Sequence, residues 1–169
     1  MRRKSMLILL LLLLMLITIS CKNEEYSKHT FHYEYVTGEQ YFSFEYPQNW
    51  EIEEDKASKG NGLPDGTPDF GITIYMDSEI DNIIYIFEGI SPNMYWEKTY
   101  EEDDFIVDGT TRGKIYSQEE RDTIYKVITF DRKDDGEDYS YRYVLIQAEK
   151  KFYNTNEKRI KNILESIEF

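Results

Sequence analysis

Apolar and polar residues alternate along most of the chain beyond residue 30, with the period of two that is typical of β-strands. This alternation predicts strands at residues 31–36, 41–46, 50–53, 70–76, 111–117, 123–130 and 139–148. Residues 83–87 are apolar on both faces, which predicts a buried central strand. Turn residues at 37–39 and 134–136 favour hairpins between consecutive strands. The pattern therefore predicts an antiparallel sheet.

Helical spacing replaces this alternation near the C-terminus. Four apolar residues there follow the i, i+3, i+4, i+7 spacing of an amphipathic helix: Ile160, Ile163, Leu164 and Ile167. Asn154, with Glu157 three residues later, has the spacing of a capping box and predicts where this helix begins. Ser91 followed by Pro92 predicts a second helix that extends to about residue 102. Strands and helices together place the chain in the α+β class.

The first 21 residues have the order of a bacterial lipoprotein signal. Positive charges at residues 2–4 precede an apolar run of 14 residues at 6–19, and Ser20 and Cys21 close it. The run is shorter than the roughly 20 residues that a membrane-spanning helix needs, and its flanks are those of a signal peptide. Residues 18–21 resemble a lipobox, which implies that Cys21 receives a diacylglycerol and becomes the first residue after cleavage.

These features divide the chain into a signal peptide at 1–20, a polar tether at 21–30 and a single domain at 31–169. The two acyl chains of a diacylglycerol hold a protein stably on a membrane, whereas one chain does so only marginally. We therefore expect the domain on the outer face of the cell membrane or, in a Gram-negative cell, at the outer membrane. The alternatives are an uncleaved anchor and an ordinary signal peptide with an incidental cysteine.

The charge of the mature chain restricts its partners. Loss of the three cations at residues 2–4 changes the formal charge from −13 to −16. So acidic a chain repels nucleic acid and anionic lipid head groups, so we expect no nucleic-acid partner and a membrane contact made only through the anchor. Cys21 is the only cysteine, which excludes a disulfide within the chain.

Residues suited to catalysis or metal binding are scarce. The only histidines, His29 and His32, fall in the predicted tether and first strand, and no nucleophile motif accompanies them. They could share a metal, but no third ligand is evident. The acidic run at 131–138 departs from the calcium-loop pattern, because Lys133 takes its third position and Arg142 its twelfth. We expect no enzyme activity, no cofactor and no metal.

A stripe of tyrosines offers a candidate interaction surface. Tyr139, Tyr141 and Tyr143 lie on one face of the last predicted strand. Tyrosine packs well on a pleated sheet, so the stripe is first of all structural. An exposed part of it would suit a protein or small-ligand partner, because tyrosine is favoured at interfaces. The loop at 55–69, rich in glycine and proline, is a second candidate surface.

Two stretches resemble the superfamily that contains the photosystem protein PsbP and the nuclear transport factor Mog1. Residues 41–52 are similar to that family's aromatic strand, proline turn and tryptophan-led strand, and residues 163–169 to its closing helix and short terminal strand. The resemblance implies an antiparallel sheet sandwiched by helices, the PsbP/Mog1-like α/β/α arrangement. It implies no activity, because this fold carries unrelated binding roles. Many bacterial members are lipoproteins, in agreement with Cys21.

The function expected from the sequence is that of a membrane-anchored, extracytoplasmic lipoprotein. Such a protein would bind a protein or small ligand, still unidentified, without catalysing a reaction. The alternative is a lipoprotein that binds calcium or another cation through its acidic loops. A hydrolase comes third.

Overall fold

Nine strands and one helix make up the part of the chain that the computed structural model describes, namely residues 24–35, 38–56, 70–77, 81–90, 100–130 and 140–169. The strands are β1 (Tyr26–Tyr35), β2 (Gly38–Pro47), β3 (Glu51–Lys56), β4 (Phe70–Tyr75), β5 (Ile83–Ile90), β6 (Glu101–Val107), β7 (Thr110–Glu120), β8 (Thr123–Phe130) and β9 (Ser140–Glu149). The helix, α1 (Lys150–Ser166), follows β9 directly. Within these residues, no helix is long and apolar enough to cross a membrane.

The strands form two antiparallel sheets. β1 and β2 make a separate hairpin, and the other seven strands form a sheet in the order β3-β4-β5-β9-β8-β7-β6. Every strand pair is antiparallel. The predicted antiparallel sheet is therefore confirmed. The central position belongs to β9, however, and the apolar strand β5 lies beside it.

The edge strand β6 was not predicted from the sequence, which placed Glu101 and Glu102 at the end of a helix. Both residues are exposed and pair with β7. The chain turns back at Asp108 and Gly109, whose φ angles of 50° and 76° fit a two-residue hairpin loop. Acidic residues are tolerated here because charges on an edge strand discourage unwanted pairing. Residues 91–99 of the predicted helix lie outside the described residues.

One face of the seven-stranded sheet, called here the inner face, carries the main hydrophobic core. Its central positions hold aliphatic side chains that are at most 2% exposed: Ile72, Ile74, Ile84, Ile86, Ile128, Val144, Ile146 and Ala148. The helix α1 and the β1–β2 hairpin cover this face together. They bring six large buried side chains to the core: Ile160, Ile163, Leu164, Phe31, Phe42 and Phe44.

The sandwich of helices implied by the resemblance is not found among the described residues. The only helix there is α1, which contacts β2, β8 and β9 on the inner face. The second covering element on that face is the β1–β2 hairpin, whose buried phenylalanines supply the apolar surface expected of a helix. The architecture of the described chain is therefore a large antiparallel sheet with a hairpin and a C-terminal helix on one side.

A β-bridge joins the hairpin to the end of the chain. Ser43 and Glu168 exchange two backbone hydrogen bonds of 2.8 Å each. Phe169 packs against Phe42, with ring centroids 5.6 Å apart. Lys28 adds an ion pair with the Glu168 carboxylate at 3.1 Å. This bridge corresponds to the short terminal strand that the resemblance implied, and it closes the core behind α1.

The first strand, β1, begins at Tyr26, five residues earlier than predicted. Residues 26–30, assigned above to the polar tether at 21–30, pair with β2. The pairing bonds the backbone groups of alternate residues in this stretch to β2, and the His29 ring lies 5.7 Å from that of Phe44. A polar sequence forms a strand here because its partner strand supplies the apolar side chains.

The helix α1 also begins earlier than predicted, at Lys150 rather than beside Asn154. Its N-cap residue, Glu149, makes no side-chain capping bond. The Lys150 amide instead donates to the carbonyl of Asp122 at 2.7 Å, and the Glu149 amide donates to the buried side chain of Asn82 at 2.9 Å. Residues from two turns of the sheet therefore accept the hydrogen bonds of the amides where the helix begins. A search for a local capping motif cannot find this arrangement, because both residues are distant in the sequence.

A β-bulge in β7 directs Arg112 toward the other end of α1. The register shifts between Phe105 and Ile106, so that Arg112 becomes the extra residue of the bulge. Its guanidinium group donates to the carbonyls of Glu165 at 3.3 Å and Ile167 at 2.7 Å. The last turn of α1 has no basic residue of its own. Arg112 therefore supplies the cation that the negative end of the helix favours.

Candidate functional site

The opposite face of the seven-stranded sheet, called here the outer face, is aromatic rather than aliphatic. The pleat sends alternate residues to this face, among them Tyr75, Tyr85, Phe87, Tyr116, Tyr125 and Tyr143. A second hydrophobic cluster forms around Tyr143, which is fully buried. Its ring lies 4.8 Å from that of Phe87. Tyr143 is therefore a packing residue at the centre of the outer-face cluster.

A groove of about 580 Å³ lies beside this cluster. Its walls come from β4, β5, β7, β8 and β9 and from Tyr100, the residue before β6. The lining combines tyrosine rings with aliphatic and polar side chains, including Tyr85, Tyr125, Leu145, Gln147 and Glu120. Both the volume and this mixture of apolar surface and few polar groups are typical of small-molecule sites.

The strand register places two tyrosines on either side of the floor of this outer groove. Tyr85 of β5 pairs with Leu145 of β9, and Tyr125 of β8 pairs with Gln147 of β9. Because neighbouring strands lie about 4.8 Å apart, the strands that carry Tyr85 and Tyr125 are separated by roughly 10 Å. Leu145 and Gln147 form the floor between them. An apolar group can therefore rest on Leu145 while the Gln147 amide offers hydrogen bonds.

Gly71 of β4 makes room for the Tyr85 side chain. A β-carbon at Gly71 would lie 2.8 Å from the Tyr85 hydroxyl oxygen, and equally close to the Ile86 carbonyl oxygen. Tyr85 also stacks on Phe87, with ring centroids 5.0 Å apart. The glycine and the stacked ring hold this wall of the groove in place before a ligand arrives, which lowers the entropic cost of binding.

Most cations of the groove-forming strands point away from the groove. The Lys126 ammonium lies on the inner side of the sheet, 4.9 Å from the centroid of the Tyr153 ring. Arg112 and Arg142 lie over phenylalanine rings that pack against the inner-face core. Lys126 belongs to the groove lining, but its ammonium group lies on the other face of the sheet. Among the lining residues, Glu120 is therefore the only one whose charged group faces the groove.

Lys114 of β7 is the exception and points to the outer face. Its ammonium group pairs with Asp104 at 2.8 Å and with Glu102 at 3.1 Å. These hydrogen bonds raise the pKa of Lys114 above its ordinary value, and the bond to Asp104 has the largest effect. Two carboxylates thus neutralise this cation. The described side chains of the outer face therefore favour a neutral or cationic ligand over an anionic one.

A second cavity, of about 680 Å³, lies on the inner side between β7, β8 and the N-terminal half of α1. Its lining is mainly polar and includes Glu101, Glu119, Lys126, Asn154 and Glu157. Glu119 already forms an ion pair with Lys150, and Lys126 rests on Tyr153. Since several of its charges are satisfied within the protein, this cavity is a weaker candidate than the outer groove.

The predicted tyrosine stripe lies only partly within the described residues. Tyr139 lies outside them, and Tyr141 is described only by its backbone position in β9. Tyr143 faces the outer side of the sheet but is buried there. The surface beside it belongs to Tyr85 and Tyr125, which come from other strands.

The two histidines do not form a common site. Nε2 of His29 lies 3.1 Å from Oε1 of Glu54 on β3. His32 is exposed, and its ring lies 6.0 Å from that of Tyr41. His29 and His32 are three positions apart on β1, an odd offset, so they face opposite sides of the hairpin. Among the described residues, no group of three His, Cys, Asp or Glu side chains is placed to hold a metal.

Three predicted features fall outside the described residues. These are Cys21, the loop residues 57–69 and the acidic run at 131–138. The lipid anchor, the glycine-rich loop and the cation-binding alternative in the acidic loops therefore stay predictions.

The sequence pattern does not single out the outer groove. Tyr85 stands in a stretch that is apolar on both faces, and Tyr125 in an ordinary alternating strand. Tyrosines at alternate positions of separate strands are the only signal. They become a site when the register brings β5 and β8 to either side of β9.

A comparison with protein-family models found no match, and a comparison with curated protein sequences found none either. Among solved structures, the chain is similar to the solution structure of cyanobacterial PsbP (CyanoP) from Synechocystis sp. PCC 6803. The two are 10% identical over 82% of this chain and 91% of that chain, with a TM-score of 0.46. At this level the likeness concerns the fold alone.

Proposed function

We propose that this protein is a membrane-anchored, extracytoplasmic lipoprotein that binds a small ligand in the outer groove without catalysing a reaction. The observation that carries the proposal is the groove itself, with Tyr85 and Tyr125 on its walls and Leu145 and Gln147 on its floor. Tyrosine rings provide a large contact area at low conformational cost, and the amide gives orientation.

The charges around the groove narrow the ligand class. Glu120 is exposed at the groove, and Lys114 is paired with two carboxylates. A neutral ligand with an apolar ring or chain meets no electrostatic repulsion there, and a cationic ligand is attracted by the faces of the aromatic rings. An anionic ligand meets no free cation among the described groove residues.

Photo-crosslinking in intact cells tests this role. Benzoylphenylalanine replaces Tyr125 in the full chain, and the matched control carries it at Tyr41, a tyrosine that is 63% exposed on the hairpin. After irradiation, the mass of the purified chain should show a discrete adduct at position 125 that is absent at position 41. No adduct at 125, or the same adduct at both positions, contradicts binding in the groove.

The same cells test the anchor. The unmodified chain should fractionate with membranes and carry the mass of a diacylglyceryl group at Cys21. Cys21→Ala should release or mis-process the chain, because no acyl chain then holds it. Unchanged fractionation and mass would show that the cysteine is incidental.

A further inference from the structure

Charge is distributed unevenly over the folded domain. The helix α1 contains five basic residues and only two acidic ones: Lys150, Lys151, Lys158, Arg159 and Lys161 against Glu157 and Glu165. The formal charge of the helix is thus +3. Because the whole mature chain has a formal charge of −16, the remainder of it has a charge of −19. Among the described elements, α1 is therefore a net basic segment of a strongly acidic chain.

Four of the five basic side chains of α1 lie on its solvent side. Lys150, Lys151, Lys158 and Lys161 are all exposed, whereas the apolar stripe of the helix faces the core. Lys150 pairs with Glu119, and Lys161 lies 3.5 Å from Glu165. Lys151 and Lys158 are seven residues apart, two helical turns, so they share one side of the helix. These two lysines are the most available for a partner.

The start of the described chain lies against the same helix. Glu24 forms an ion pair with Arg159, and the Asn162 amide donates to the Tyr26 hydroxyl at 3.2 Å. Cys21 precedes Glu24 by three residues, which span at most about 11 Å when fully extended. A lipid on Cys21 would therefore bring the membrane surface within reach of α1, and not of the groove on the opposite face of the sheet.

We propose that the solvent side of α1, centred on Lys151 and Lys158, docks on an anionic lipid surface when Cys21 carries its lipid. This inference rests on the proposed anchor, and it replaces the expectation, drawn from net charge, that the domain touches the membrane only through that anchor. Anionic lipid head groups attract basic side chains that lie close to the surface, and salt screens this attraction over a Debye length of about 10 Å. The acidic remainder of the domain is repelled at the same time. The two effects orient the domain with α1 toward the lipid and the outer groove toward the medium.

A fluorescent label can report this orientation, because Cys21 is the only cysteine in the sequence and has no free thiol once it carries its lipid. Thr155→Cys introduces a labelling site on the exposed side of α1, and Glu120→Cys introduces a control site on the outer face. The lipidated full chain is placed in vesicles of phosphatidylcholine alone or mixed about two to one with phosphatidylglycerol. A head-group quencher in the vesicles then measures the proximity of each label.

The expected result is stronger quenching at position 155 in the anionic vesicles, with no change at position 120. At about 1 M salt, where the Debye length is about 3 Å, the difference should disappear. Replacing both lysines, Lys151→Gln with Lys158→Gln, should lower the docked-to-undocked ratio by about 25-fold, about fivefold for each charge. Replacing both by arginine should restore docking, which a purely structural role of the lysine side chains does not predict.

Equal quenching at position 155 in neutral and anionic vesicles, or quenching that survives the double glutamine change, would overturn the docking surface. So would stronger quenching at position 120 than at 155. A chain that lacks the acyl mass and fails to enter either vesicle overturns the anchor, and with it this inference. A chain that is anchored but not docked overturns the inference alone.

Discussion

The two faces of the seven-stranded sheet come from the same strands but have different chemistry. On β9, Val144, Ile146 and Ala148 face inward and are at most 2% exposed, while Leu145 and Gln147, which face outward, are half-buried. The inner face is covered by α1 and by the hairpin. The outer face keeps a groove beside its buried tyrosine cluster.

This difference shows how one strand can serve stability on one side and recognition on the other. Branched aliphatic side chains fill a closed layer tightly and have no polar atom to satisfy. Tyrosine and glutamine combine apolar contact with a polar end, so they suit a surface that alternates between water and ligand. We therefore expect substitutions to separate stability from binding according to the face they change.

The largest effect is expected from a matched pair of truncations on β9. Ile146→Ala removes a side chain that is 2% exposed in the main core and should lower the free energy of unfolding by about 3–4 kcal/mol. Leu145→Ala, one residue away on the half-buried outer face, should cost about 1 kcal/mol. Urea unfolding of the two variants, followed by circular dichroism, measures both. Equal losses would show that the faces do not differ in packing.

An intermediate effect is expected where β7 contacts the end of α1. Arg112→Met keeps the aliphatic stem but removes two hydrogen bonds to helix carbonyls, which should cost about 1–2 kcal/mol. Lys114→Met, two residues away, removes an exposed ion-pair cluster on the outer side and should cost less. The same urea unfolding compares them. A larger loss of unfolding free energy for Lys114→Met than for Arg112→Met would show that the outer side, rather than the contact with α1, contributes more to stability.

The smallest effect concerns the β-bridge that closes the inner face. Hydrogen bonds from Lys28 and Ser43 lower the pKa of Glu168 below its ordinary value of 4.5, and the bond from Lys28 has the larger effect. A carboxylate with a lowered pKa adds stability above that ordinary value and loses it as the pH falls through the lowered one. Glu168→Gln should therefore flatten the fall in stability below about pH 4.5. The control Glu157→Gln, on the exposed side of α1, should leave the acid limb of thermal unfolding unchanged. Identical acid limbs in all three proteins would contradict the contribution of the bridge.

Local patterns in the sequence account for most of the elements. The alternation of residues 123–130 corresponds to β8 residue for residue, and the stripe from Ile160 to Leu164 is the buried face of α1. Both rest on short-range geometry, the pleat of a strand and the turn of a helix, which a single stretch of sequence contains. The start of α1 could not be read in this way, because Asp122 and Asn82 satisfy it from distant turns.

Sequence alone was enough to find the strand periodicity, the amphipathic C-terminal helix, the lipobox-like N-terminus and the strongly acidic net charge. The tertiary structure was needed to show that β9 is central, that Tyr143 is buried, and that Tyr85 and Tyr125 share a groove. It also decided that an acidic chain presents a basic helix beside its N-terminus. Register and the placement of charge depend on contacts between residues far apart in the chain, and these contacts leave no local period in the sequence.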